Sequence, residues 1–239
     1  MVTVGAGLTG GIVAAELTKA GLNVLSLERG HMQSTENFNF IHDPSGLALP
    51  YDFEIQTLSK QRYGNKLGND YTLQDWGMTY KDMEPYYDRF EKTCGVSGEP
   101  NPLAEKMRAF RSNPYPQEPL KILKCLNNLK AQQKVQIYTL IVCQLQILKV
   151  AIQTLMVNLA PCQYCAYCEC FGCEYGAKAS PLNTVIPKAM STGKYTIRTY
   201  SNVTQILKKD GKVMGVKFVD TRTMKEYIQP ADIVVQLYV

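Results

Sequence analysis

The chain has 239 residues, 45% of them apolar, a net charge of +5 and eight cysteines. That is enough apolar material for a real core in one large or two small domains. The charge is too modest for a nucleic-acid footprint, with Lys208-Lys209 the one notable basic pair of the C-terminal third, and eight cysteines in so long a chain do not make a disulfide scaffold.

Met1 to Val4 reads as the end of a β-strand, followed by Gly5-Ala-Gly7-Leu8-Thr9-Gly10-Gly11 and then by helical apolar spacing from Ile12 to Lys19. A second strand, Asn23 to Leu27, ends in Glu28. Each glycine has its own physical reason: Gly5 suits a tight turn, Gly7 lets the backbone approach a pyrophosphate, and Gly10 lets helix and strand pack closely. The helix N-terminus offers unpaired N–H groups and the positive end of its dipole to phosphate. Glu28 is placed to accept hydrogen bonds from a ribose diol. A lone glycine pattern would be weak evidence, but strand, helix, second strand and acid occur here in order. With the first strand this close to residue 1, no targeting segment is visible.

Two histidines, His31 and His42, follow in a polar loop-like stretch running to Pro50, and both read as solvated. Thr79-Tyr-Lys-Asp82 has the form of a capping box, after which Met83, Tyr87, Phe90 and Cys94 recur at helical spacing until Gly95. Pro85 predicts a kink or restart in that helix, and the aromatic stripe reads as core packing. Asn101 to Pro119 reads as an extended connection. Lys121 to Ala160 carries neither a helical nor a strand period, and its glutamines and Lys149 argue against a membrane span.

Cys162-Gln-Tyr-Cys165-Ala-Tyr-Cys168-Glu-Cys170-Phe-Gly-Cys173 places five cysteines within twelve residues. Thiolates packed that closely repel one another unless a metal neutralises them, so the spacing favours an iron–sulfur cluster or zinc over disulfides. Cys173 comes one residue later than the ferredoxin spacing. Cys94, Cys125 and Cys143 read as structural or incidental. Beyond Tyr195 the pattern turns to strands: Tyr195 to Thr199, then Val203 to Lys208 and Val213 to Val219 joined by an Asp210-Gly211 hairpin turn, then a buried strand at Ile233 to Val235.

Together these segments resemble the N-terminal part of the glucose–methanol–choline (GMC) oxidoreductases, most of all the flavin-carrying subunit of bacterial gluconate 2-dehydrogenases and related sugar dehydrogenases. The residues that carry the resemblance are Val4 to Ile12, Leu27-Glu-Arg29-Gly, Pro50 to Glu54, Leu73 to Tyr80, Glu84 to Asp88, Cys162 to Ala179, Pro181 to Pro187 and Ser201 to Ile206. The resemblance implies an α/β fold: an incomplete Rossmann-like FAD-binding domain, with a central parallel sheet from residues 1–30 and about 230–239. A β-meander from 195 to 228 and an irregular, cysteine-rich insertion over 50–194 complete it, with 1–30 and 195–239 as the nucleotide core. It also implies FAD held by Gly5, Gly7, Leu8, Thr9, Gly10, Glu28 and Arg29, with the backbone of Val203 facing the adenine. The implied chemistry is oxidation of an alcohol group of a sugar or sugar acid, with electrons leaving through a cluster on Cys162, Cys165, Cys168 and Cys173. In the intact complex a small subunit and a cytochrome c acceptor would be partners, at the cytoplasm or at a membrane face.

Two departures stand out. Only Ile41 to Pro50 remains where the family carries its flavin-ring segment, and neither His31 nor His42 matches the family's catalytic histidine, so no catalytic residue is assigned and the chain alone is expected to be inactive. Residues from about 122 to 156 read as out of frame: shifting the codons gives a polar loop of the kind the family carries before its cysteine run. The alternative reading is a non-catalytic zinc or iron–sulfur fragment with a vestigial glycine loop. A nicotinamide-dependent reductase would need neither the cysteine run nor the β-rich segment.

Overall fold

The computed structural model describes residues 1–32, 50–68, 71–100, 110–121, 152–154, 157–165 and 173–237. His42, Cys125, Cys143, Cys168 and Cys170 lie outside these, as do residues 40–49 of the flavin-ring stretch and 122–150 of the aperiodic segment. The chain divides into two compact units, one formed by Met1–His42 with Ala151–Val239 and the other by Asp43–Val150.

In the first unit, β1 (Val2–Val4), helix α1 (Leu8–Lys19) and β2 (Val24–Leu27) form a βαβ crossover whose two strands are parallel. The chain returns to the same sheet twice, as β5 (Tyr195–Arg198) beside β2 and as β9 (Val234–Gln236) beside β1. The resulting order β5-β2-β1-β9 reverses direction of growth at β1, the switch point of a doubly wound sheet. Tyr195–Arg198 therefore belongs to the parallel sheet, not to the meander as its β-branched pattern suggested. Two things put it there: its Tyr195 hydroxyl is bonded to Ser26 Oγ at 2.7 Å, and Tyr200, at a φ of 56°, turns the chain away before the next strand. Nor is the last strand buried: Ile233 is 50% exposed and Val234 and Val235 are half-buried.

The meander is β6 (Ser201–Lys209), β7 (Lys212–Asp220) and β8 (Glu226–Pro230), antiparallel in that order. Asp210 and Gly211 both have positive φ, 50° and 75°, as a two-residue hairpin turn between right-twisted strands demands. A short helix, α5 (Val185–Met190), lies against α1. The sheet is thus covered on both faces. Ala14, Ala15, Val24, Val185, Ile186, Ala189 and Tyr195 pack on the helical side, and on the other side Val2 and Leu27 of the sheet pack against Val216 and Phe218 of the meander. Before the cysteine run, β3 (Ile152–Thr154) pairs antiparallel with β4 (Val157–Leu159).

The second unit contains α2 (Pro50–Phe53), α3 (Ile55–Tyr63) and α4 (Tyr80–Cys94). The expected capping box is present: Thr79 Oγ1 accepts from the Asp82 N–H, and Asp82 Oδ2 accepts from the Thr79 N–H at 2.9 Å. Gly95, in the left-handed region, ends the helix. The helix runs unbroken through Pro85 instead of restarting there, because Pro85 lies early in it on an exposed face, where the Lys81 carbonyl that loses its amide partner meets water. Tyr80, Tyr87 and Phe53 form a ring cluster with centroids 6.4 to 6.5 Å apart; along the stripe Cys94 is buried, while Met83, Tyr87 and Phe90 are half-buried. Glu84 and Glu91 on α4 clamp the 110–117 strap: Glu84 accepts from the Ser112 N–H and hydroxyl, each at 2.7 Å, while Glu91 pairs with the Arg111 fork. Burial beside this pair pushes the Tyr115 hydroxyl up to about 12.

Candidate nucleotide site

The site is the turn from β1 into α1, at the carboxyl ends of the parallel strands. Gly5 has a φ of 95°, and its N–H donates to the Leu27 carbonyl at 2.9 Å, so the loop leaves β1 tied to the end of β2. A Cβ on Gly10 would sit inside van der Waals contact of the Gly5 carbonyl oxygen, so only glycine lets the helix approach the loop this closely. One on Gly11 would lie 2.6 Å from Val185 Cγ2, which fits α1 against α5. Gly7 differs. It is exposed, stands at the N-cap of α1, and a Cβ there would meet nothing within 4 Å. No side chain caps the helix and no acid lies in its first turn, so the amides of Leu8, Thr9 and Gly10 face an N-terminus left open for an anion.

Glu28 sits beside that opening. Its Oε2 accepts from the Ala6 N–H and its Oε1 from the Gly30 N–H, both at 2.8 Å. These bonds fix the carboxylate against the glycine loop, and an ionised carboxylate with about four lone-pair sites keeps acceptor capacity for a diol. The Ala6 amide is a partner that residue patterns alone do not reveal.

The β5–β6 corner closes the same end of the sheet. Ser201 N–H donates to the Glu28 carbonyl at 2.8 Å and Tyr200 N–H to the Gly30 carbonyl at 3.0 Å. The His31 ring stacks on Tyr200 with centroids 6.3 Å apart, and the Arg222 guanidinium lies 4.5 Å from the Tyr200 centroid. Arg222 in turn holds the Asp220 carboxyl below the usual carboxylate range. Val203 is half-buried, two residues beyond this corner and next to a break in the β6–β7 register. Arg29 is exposed on the rim. Gly5, Gly7, Leu8, Thr9, Gly10 and Glu28 thus gather at one strand end.

The cysteines are less complete. Cys162, Cys165 and Cys173 carry free thiols, and the Tyr164 N–H donates to Cys162 Sγ at 3.4 Å. Among the described residues no three His, Cys, Asp or Glu side chains gather as metal ligands. Also among them, no helix is long and apolar enough to cross a membrane.

A strand order that reverses at β1, with a glycine loop and an acid at the reversal, defines an α/β dinucleotide-binding protein. The chain belongs to the GMC oxidoreductase family, whose model matches residues 69–237. It is 26% identical to the gluconate 2-dehydrogenase flavoprotein of Pantoea cypripedii, covering 98% of this chain and 49% of that protein. It is 23% identical to the 2-methyl-1,2-propanediol dehydrogenase of Mycolicibacterium austroafricanum, covering 98% and 48%. Among solved structures, an FAD-dependent oxidoreductase from Chaetomium thermophilum shares the fold with a TM-score of 0.51 at 13% identity, over 98% of this chain and 44% of that one. The chain spans about half the length of the curated relatives it matches.

Proposed function

We propose that this chain is the FAD-binding part of a dehydrogenase that oxidises an alcohol group of a sugar or sugar acid. The observation that carries the reading is the Glu28 carboxylate, tied to the Ala6 amide beside the open Gly7 turn. Gly5, Gly7, Leu8, Thr9 and Gly10 would hold the pyrophosphate through backbone amides and the α1 dipole. Glu28 would hold the adenosine ribose, with Arg29 at the rim and the Val203 backbone facing the adenine. The open space over Gly7 and the uncapped helix fit such a group. When bound, FAD supplies the hydride acceptor. The chain's own part is to bind and orient: the β5–β6 corner, bonded to Glu28 and Gly30, fixes the adenosine end.

No residue is assigned to proton abstraction, a role worth about 10² to 10⁴-fold. This reading leaves the chain alone inactive, and the engagement of the His31 ring with Tyr200 supports it. An iron–sulfur cluster on Cys162, Cys165, Cys168 and Cys173 would carry electrons onward to a cytochrome c acceptor, with a small subunit completing the assembly. The spacing and the amide donated to Cys162 Sγ support it. The nucleotide core is residues 1–30 and 195–239, and 122–156 is out of frame.

Reconstituting the chain with FAD, ferrous iron and inorganic sulfide under anaerobic conditions, then passing it through gel filtration, tests both parts. Yellow protein retaining flavin absorbance, iron and acid-labile sulfide is expected, with Glu28→Ala losing the flavin and keeping the iron. Zinc without flavin would instead support the non-catalytic metal fragment.

A further inference from the structure

The stretch between the cysteine run and α5 is built around one side chain. Asn183 Nδ2 donates to the Gly176 carbonyl at 3.0 Å and to the Lys178 carbonyl at 2.9 Å. Its Oδ1 accepts from the Ser180 N–H at 2.7 Å and from the Ser180 hydroxyl at 3.1 Å. All of the amide's donors and acceptors are therefore spent on a single loop, the pattern of a group that specifies one conformation. Beyond the loop the contacts continue in both directions. Toward the cysteines, Gly176 N–H donates to the Cys173 carbonyl at 3.0 Å. Toward the nucleotide loop, Thr184 Oγ1 donates to the Ser180 carbonyl at 2.5 Å, and α5 begins at the next residue. There Val185 fills the space where Gly11 lacks a side chain, and the Gly11 N–H donates to the Gly7 carbonyl at 2.8 Å. The flanking Ala177 and Ala179 are buried, so water does not compete freely for the loop.

We infer that Asn183 is a positioning residue that fixes Cys173, the last cysteine of the run, relative to the phosphate-binding turn at Gly7. Resting on the proposed function, this gives the loop a purpose: a thiolate-held electron carrier is useful only at a set place beside the cofactor. The Asn183 amide sets that place from the α5 side, because its two donors hold the Gly176 and Lys178 carbonyls, the first in the turn closed on Cys173, and its acceptor holds the turn into the helix.

Thiol footprinting of the reduced, metal-free chain tests this, with Cys162 and Cys173 read separately by mass spectrometry and the fold checked by circular dichroism. Asn183→Asp keeps the acceptor side toward Ser180 and loses both donors. It should raise labelling of Cys173 by about tenfold, as the loss of two net hydrogen bonds at the weak end of their range predicts, and leave Cys162 at the wild-type rate. Asn183→Ala should do the same. Ser180→Ala removes only the 3.1 Å hydroxyl contact and should leave Cys173 unchanged. Unchanged Cys173 labelling in Asn183→Asp overturns the inference. So does an equal rise at Cys162, which marks general loosening, or a Ser180→Ala effect as large as that of Asn183→Asp. Because the readout requires neither flavin nor iron, a chain that fails to bind FAD still reports on Asn183.

Discussion

The two units are held together by different physics. In the nucleotide unit the closest approaches, beside a few side-chain bonds such as that from the Ala6 amide to Glu28, are backbone on backbone: Gly10 against Gly5, Ser201 N–H to the Glu28 carbonyl, and parallel ladders on either side of β1. In the Asp43–Val150 unit they are carboxylates on amides, hydroxyls and a guanidinium, as in Glu84 with Ser112, Glu91 with Arg111, and Asp75 with Gln56 and Thr57. A unit of the first kind yields to added volume, and one of the second to lost charge. A cofactor turn requires the first kind, because a phosphate held by main-chain amides leaves no room for a side chain at the approach.

The strongest way to break this contrast is Gly10→Ala. Its methyl group would press on the backbone oxygen of Gly5, which cannot move without reshaping the turn, so a cost of about 3 kcal/mol is expected. Urea unfolding should show it in the nucleotide unit, together with loss of flavin retention. A wild-type midpoint in this variant would mean that the turn is not close-packed. Next in size is Glu84→Ala. It removes two hydrogen bonds at a carboxylate that is 8% exposed, and about 2 kcal/mol should be lost from the second unit alone. Hydrogen exchange, read separately over α4 and over β1–β2, distinguishes this from a global effect.

The smallest effect comes from acid. Asp75, Asp82 and Asp88 in the second unit are each held below the ordinary 3.8: Asp75 first by its bond from Thr57, Asp82 by the Thr79 backbone N–H, and Asp88 by Lys92. A carboxyl whose folded value is depressed stabilises the fold above its unfolded value and ceases to do so as pH falls through the folded one. The second unit should therefore loosen as pH drops below 3.8. Among the described residues the nucleotide unit, where Asp220 is lowered in the same way by Arg222, has fewer such groups to lose. Exchange rates followed downward from pH 5 would show whether the order of loosening is reversed.

Much of the site is legible in the residues alone. The glycine turn, Glu28, the Asp210-Gly211 hairpin and the Thr79–Asp82 box all obey rules that operate within a few residues or one crossover, and all lie where those rules put them. Asn183 is not legible as a clamp. An asparagine among Ser, Pro and Thr looks like any turn residue, and nothing in its neighbourhood shows that its amide reaches back to Gly176.

Sequence by itself determined the class of the molecule, because the residue types that admit a pyrophosphate to a helix end are few and must stand at fixed spacing. Tertiary structure alone decided that Tyr195–Arg198 extends the parallel sheet, through hydroxyl contacts linking Thr3, Ser26 and Tyr195, the last two 169 residues apart. It alone decided as well that α5 abuts the nucleotide helix at Gly11. Such contacts depend on which surfaces meet once the sheet has closed, and short-range pattern carries no record of that.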